Sequence, residues 1–144
     1  MKEKLENFKD IKEIIYNTVK KYGNNIAFRI KEKKLKEVKY KDITYKQMLK
    51  DANNFGTGLY QKGLKDKRIA IMGKNRYEWV LTYVTNLLGG MISVPLDKEL
   101  KYDELENSLI RSKAECIVFD TKLKDVIKEI KQNGKTSLKH YICM

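Results

Sequence analysis

With only four arginines, two cysteines and one histidine, this 144-residue chain has little of the usual equipment for phosphate clamping, metal binding or nucleophilic catalysis. No window approaches the ~18 uninterrupted apolar residues that a membrane-spanning helix requires. The stretch Met1–Asp10 is charged and has no apolar run after its lysines, so a secretory signal is not expected there. Cys116 and Cys143 are far apart, each in an apolar run. That spacing is neither a disulfide framework nor a metal-ligand set; it fits a reducing cytosol, and both thiols read as small buried hydrophobes. His140 stands alone, with no motif placing a Ser or Cys beside it, so a nucleophilic triad is not supported.

The scarcity of arginine also decides how to read the net charge of +12. Arginine supplies the planar fork that reads bases and clamps phosphates, and 27 of the 31 basic residues are lysine. These lysines are spread along the chain and mixed with acids; even in the densest stretch, Lys31 to Lys46, Glu32, Glu37 and Asp42 interrupt them. A solvated Lys-rich surface is favoured over a specific nucleic-acid partner.

What is present is a single domain's worth of chain with 42% apolar content, enough for a core. Three sections follow one another: an N-terminal helical section over 1–23, a hairpin over 24–43, and β-α units over 44–144. Ile11, Ile14, Ile15, Val19 and Tyr22 share one helical face, with Asp10 as cap, Glu13 completing a capping box and Gly23 as stop. Ile26, Phe28 and Ile30 alternate as a strand does, and Val38, Tyr40 and Ile43 continue the pattern after a Lys-rich turn. Thr44 and Gln47 form a second capping box, followed by the stripe Met48, Ala52, Phe55 and Leu59 and a stop at Gly63.

From there a regular beat sets in. Short apolar strands are expected near residues 68, 92, 116 and 140, one β-α unit about every 24 residues. Asn75 and Glu78 open a helix whose expected core stripe is Trp79, Val80, Tyr83, Val84, Leu87 and Leu88, ended by Gly89-Gly90. Strands that are continuous apolar runs are covered on both faces, and right-handed crossovers then give an α/β fold: a partial doubly wound, mostly parallel sheet with flanking helices plus the small hairpin. The series stops inside its fourth strand, which suggests a truncated sheet with an exposed edge able to recruit a second copy.

Two places invite chemistry. Gly73-Lys74-Asn75 lies between strand and helix, where open α/β sheets bind phosphate, but the first glycine and the hydroxyl of a P-loop are missing. A tight turn with an Asn cap accounts for these residues. Gly56, Gly58 and Gly63 do not make a dinucleotide loop, because the first two fall inside a helix. Asp97 and Asp120 end successive strands, and turn or helix-opening roles are favoured over catalysis.

The ordered segments Ile43-Thr44-Tyr45-Lys46-Gln47-Met48, Gly58-Leu59, Lys62-Gly63-Leu64, Arg68-Ile69-Ala70-Ile71-Met72, Asn75-Arg76-Tyr77-Glu78-Trp79, Leu88-Gly89-Gly90 and Val94-Pro95-Leu96-Asp97 resemble the N-terminal portion of the AMP-forming acyl-CoA synthetase superfamily. The Asn-Arg-x-Glu-Trp and Val-Pro-Leu-Asp segments resemble its long-chain fatty acid–CoA ligase branch. The resemblance implies a two-step reaction: a carboxylate attacks the α-phosphate of ATP to give acyl-AMP and pyrophosphate, and the coenzyme A thiol then displaces AMP, with magnesium neutralising phosphate charge. The family's Ser/Thr/Gly-rich phosphate loop, hinge acid and C-terminal lysine have no counterpart here. The loop that lies near coenzyme A in some relatives would be Leu96 to Glu99, without its glycines. No catalytic, cofactor-binding or metal residue is therefore assigned to this chain; ATP, magnesium, coenzyme A and fatty acid belong to the full-length enzyme, and the fragment's partner is the remainder of its own polypeptide. Cytoplasmic location is expected, with peripheral membrane attachment of the full-length enzyme left open. The alternative is a stand-alone α/β binding or interaction module derived from the same fold.

Overall fold

The computed structural model describes residues 7–34 and 37–144, so the first six residues and the centre of the Lys-rich hairpin turn, Leu35 and Lys36, lie outside the described residues. The chain divides into two compact units, Met1–Asp51 and Ala52–Met144, with the division falling inside a helix.

In the first unit, α1 (Ile11–Tyr22) starts because the Asp10 carboxylate accepts from the Glu13 N–H at 2.8 Å. The return bond of the expected capping box goes one residue further back: Lys9 N–H donates to Glu13 Oε2 at 2.7 Å. Gly23 does not serve as a left-handed stop; its φ of −52° is right-handed, and the chain turns through an Asn25 N–H bond to the Tyr22 carbonyl instead. No residue of α1 is buried. Strands β1 (Ile26–Lys34) and β2 (Glu37–Thr44) pair antiparallel as the expected hairpin. Thr44 Oγ1 then accepts from Gln47 N–H at 3.2 Å and opens α2 (Tyr45–Gln61). Here only half of the predicted box forms, since the Gln47 amide donates to Asp51 at 2.7 Å.

The second unit contains the β-α beat. Strands β3 (Arg68–Met72), β4 (Ile92–Leu96), β5 (Cys116–Phe119) and β6 (His140–Cys143) begin 24 residues apart and form one fully parallel sheet in the order β4-β3-β5-β6. Between them run α3 (Tyr77–Gly89), α4 (Tyr102–Ser112) and α5 (Lys124–Asn133), the last entered through a short 3-10 turn at Thr121–Leu123. Alternation splits β3 and β5 between two cores. Ala70, Met72, Ile117 and Phe119 pack with Leu105, Leu109, Ile127 and Ile130 of α4 and α5. Ile69, Cys116 and Val118 face the other way, onto Leu59, Leu64 and Met91. Each fully buried Leu or Ile contributes about 1.5–3 kcal/mol by leaving water, so this sandwich of the sheet dominates the unit's stability. Gly63, at φ +72°, ends α2 as predicted: Leu64 N–H bonds to the Leu59 carbonyl and Gly63 N–H to that of Tyr60.

Helix α3 departs from expectation. Its buried residues are Thr82, Thr85, Asn86 and Leu88, while Trp79, Val80, Tyr83, Val84 and Leu87 are only half-buried. The face turned inward is polar, and partners meet most of it: Thr82 hydroxyl bonds to the Glu78 carbonyl at 2.7 Å, Thr85 to the Ala52 carbonyl at 3.4 Å, and Asn86 Nδ2 to Ser93 at 3.0 Å, while Asn86 Oδ1 is buried with no hydrogen-bond partner. Asn75 is not the cap of this helix. Arg76 takes that position, with no side-chain cap bond.

Candidate functional site

In a parallel sheet, the place that can receive a ligand lies beyond the carboxyl ends of the strands, where successive crossovers diverge. The order β4-β3-β5-β6 sends the chain from β3 to one side and then back across it to β5, so the divergence lies between β3 and β5. Gly73 and Lys74 follow β3 there, and Asp120 follows β5. With Lys98 and Glu99 from the loop after β4, and Lys122 and Leu123 from the 3-10 turn, they line a cavity of about 150 Å³.

The two strand ends approach closely: Asp120 N–H donates to the Met72 carbonyl at 3.0 Å. A Cβ on residue 73 would stand 3.1 Å from the Asp120 Cβ, which is why glycine occupies that position. Asp120 is buried, at 9% exposure, and its Oδ1 accepts from Lys122 N–H at 3.1 Å. Arg76 bridges across the turn, donating through Nε to Glu78 at 2.6 Å and lying 3.8 Å from Asp120 Oδ2. Glu78's bond from Arg76 holds its carboxyl below the ordinary range, and the same bond raises the Arg76 guanidinium further. Glu78 also sits in the first turn of α3, so the helix dipole there already faces an internal anion.

Within the crevice Lys98 pairs with Glu99 at 3.7 Å and Asp120 accepts from the Lys122 N–H, while the ammonium groups of Lys74 and Lys122 form no ion pair among the described residues. The cavity volume lies below the roughly 300–1,000 Å³ typical of organic-ligand pockets. Among the described residues no group of three His, Cys, Asp or Glu side chains is placed to hold a metal ion.

The other residues singled out from sequence lie apart from one another. His140 is paired in register with Cys116 at the amino ends of the strands, opposite the crevice. Cys116 is fully buried, and burial pushes its thiol up to about 12, which leaves it inert. Cys143 is exposed, contrary to the buried reading, because β6 is an edge strand whose terminal residue faces solvent 3.6 Å from the Thr121 hydroxyl. Asp97 closes a turn by accepting from Glu99 N–H at 2.9 Å. Trp79 stacks on Tyr83, centroids 5.6 Å apart. The Arg76–Glu78–Asp120 bridge was not anticipated; the Asn-Arg-x-Glu segment names two of its members, but only the β3–β5 pairing brings in the third.

A family model for AMP-binding enzymes matches residues 15–143, nearly the whole chain, and the chain belongs to that family. Comparison with curated proteins finds no match. Among solved structures, it resembles an anthranilate–CoA ligase in complex with anthranoyl-AMP, with a TM-score of 0.82 at 20% identity, over 97% of this chain and 26% of that one. A long-chain-fatty-acid–CoA ligase from Archaeoglobus fulgidus gives 0.79 at 19% identity, over 97% of this chain and 28% of that one. The N-terminal domain of FACL13 from Mycobacterium tuberculosis gives 0.77 at 19%, over 95% and 34%. The chain spans about a quarter to a third of the length of these structures. At such identities the likeness establishes the fold.

Proposed function

We propose that this chain is the N-terminal segment of a long-chain fatty acid–CoA ligase, which converts ATP, a fatty acid and coenzyme A to acyl-CoA, AMP and pyrophosphate. The family match over residues 15–143 carries this reading. The Asn75-Arg76-Tyr77-Glu78-Trp79 and Val94-Pro95-Leu96-Asp97 segments support the long-chain branch within it. ATP, magnesium and coenzyme A are assigned to the remainder of the full-length polypeptide, because the family's Ser/Thr/Gly-rich phosphate loop, hinge acid and C-terminal lysine have no counterpart in these residues. In this reading the segment contributes no catalytic, cofactor-binding or metal residue. Its parallel strands and the Trp79 helix form part of the sheet that supports the substrate cleft. A cytoplasmic location is part of the same reading, supported by two cysteines that form no disulfide.

Carboxylate-dependent ATP–pyrophosphate exchange tests it directly. The 144-residue chain is expected to show none, and clear exchange from it would overturn the assignment. Sequencing past the Met144 codon tests the parent: a Ser/Thr/Gly-rich loop ending in Pro-Lys-Gly is expected within a few dozen codons. An immediate stop would favour a stand-alone interaction module instead.

A further inference from the structure

Helix α5 ends at Asn133, and Gly134 follows as its left-handed cap, at φ +65°. Asparagine is a chemically labile residue: the backbone nitrogen of the next residue can attack its side-chain carbonyl carbon and displace the amide as ammonia. Most residues shield that nitrogen with a Cβ. Glycine has none, so an Asn-Gly step offers the attack the least obstruction. No other asparagine in the sequence precedes a glycine.

The fold holds both reacting groups in other bonds. Asn133 Nδ2 donates to the Tyr102 hydroxyl and, at 3.4 Å, to Glu106 Oε1. Gly134 N–H is bonded to the Ile130 carbonyl at 3.4 Å, which is long for such a bond. Tyr102 and Glu106 stand one turn apart on α4, and the Tyr102 hydroxyl donates to Glu106 Oε1 at 2.9 Å. The other oxygen of this buried carboxylate takes Lys135 at 3.2 Å, from the connection to β6. The end of α5 is thus latched to α4 through a carboxamide that must donate. A carboxylate at position 133 would have no proton to give and would set a second negative charge against Glu106. The latch therefore blocks the conversion of Asn133 and is also incompatible with its product.

We propose that Asn133-Gly134 is a gated self-modification site, deamidated when the contacts of Tyr102 and Glu106 with the Asn133 amide open, and that the resulting carboxylate keeps α5 unlatched from α4. On local opening the Gly134 nitrogen gives its proton to solvent base and bonds to Asn133 Cγ. The Cγ–Nδ2 bond breaks, ammonia leaves, and water opens the cyclic imide at either carbonyl to aspartate or isoaspartate. Only residues of α4, α5 and the following turn take part, so the site does not rest on the ligase reading. Peptide mapping by mass spectrometry, on the 144-residue chain held in mildly alkaline buffer, tests it. Aspartate and isoaspartate are expected at position 133 ahead of every other asparagine. Tyr102→Phe is expected to speed the conversion roughly fivefold, the factor that one lost hydrogen bond allows. Asn107, which precedes Ser108 on α4, should keep its rate, which separates local opening from global unfolding. Asn133→Asp reproduces one product and is expected to lower the melting temperature, by less in a Glu106→Gln background. No isoaspartate at position 133 overturns the proposal, as does a rate that Tyr102→Phe leaves unchanged or raises equally at Asn107. A loss from Asn133→Asp that is the same in both backgrounds also overturns it.

Discussion

Glu115 shows how much one side chain can tie together. Its backbone carbonyl accepts from Lys139 and His140 N–H, its N–H reaches the Arg68 carbonyl, and its carboxylate pairs with Lys67 at 2.9 Å and Lys139 at 2.7 Å. It therefore joins the amino ends of β3, β5 and β6. The bonds from Lys139 and then Lys67 lower its carboxyl to about 2. A carboxyl depressed in the folded state stabilises above its unfolded value, near 4.3, and that contribution is lost as pH falls toward about 2. Glu115→Gln should lower the melting temperature at neutral pH and flatten its decline across that acid window, as thermal melts from neutral pH to pH 2 will show. Gly63 is a residue-scale case of a different kind. With open space around its Cβ position, Gly63→Ala meets only the strain of φ +72°, and urea unfolding should register a loss of about 1 kcal/mol.

Among the elements, α4 and α3 behave differently under the same treatment. Leu109 of α4 is fully buried against the sheet, so Leu109→Ala should cost about 2–5 kcal/mol in denaturant unfolding. Trp79 of α3 is half-buried, and its truncation should cost less than that of Leu109 despite the larger side chain. On α4 Leu105 and Leu109 stand one helical turn apart, so helix period and apolar type coincide there. On α3 the polar residues Glu78, Thr82, Thr85 and Asn86 share one helical side and the apolar ones the other, so period alone points the apolar side inward; hydrogen bonds from Thr85 and Asn86 to Ala52 and Ser93 accompany the opposite facing. The caps show the same division. Asp10 and Thr44 act locally as their types suggest, whereas Asn75 lost its expected place because Arg76 is held by Glu78 and Asp120.

For the molecule as a whole, the two sheet edges are not equivalent. The β4 edge contains Pro95, which removes a donor. At the other edge, His140 and Met144 N–H point inward to the Glu115 and Phe119 carbonyls, so by alternation the N–H groups of Tyr141 and Cys143 point outward. Self-association through β6 is expected. Sedimentation equilibrium should show concentration-dependent dimers, and Cys143→Pro, which deletes an outward donor without touching the inner ladder, should return them to monomer.

The order of residues alone sets the β-α beat, the strand starts at Arg68, Ile92, Cys116 and His140, and the hairpin, because those features depend on local period and turn chemistry. It also carried the family resemblance through ordered short segments. The three-dimensional arrangement places β5 beside β3, which brings Gly73, Arg76 and Asp120 together at one crevice. It alone set Cys143 at an exposed edge and turned the polar side of α3 inward. The physical reason is that strand order and helix facing are settled by contacts between residues tens of positions apart, and no local pattern encodes those.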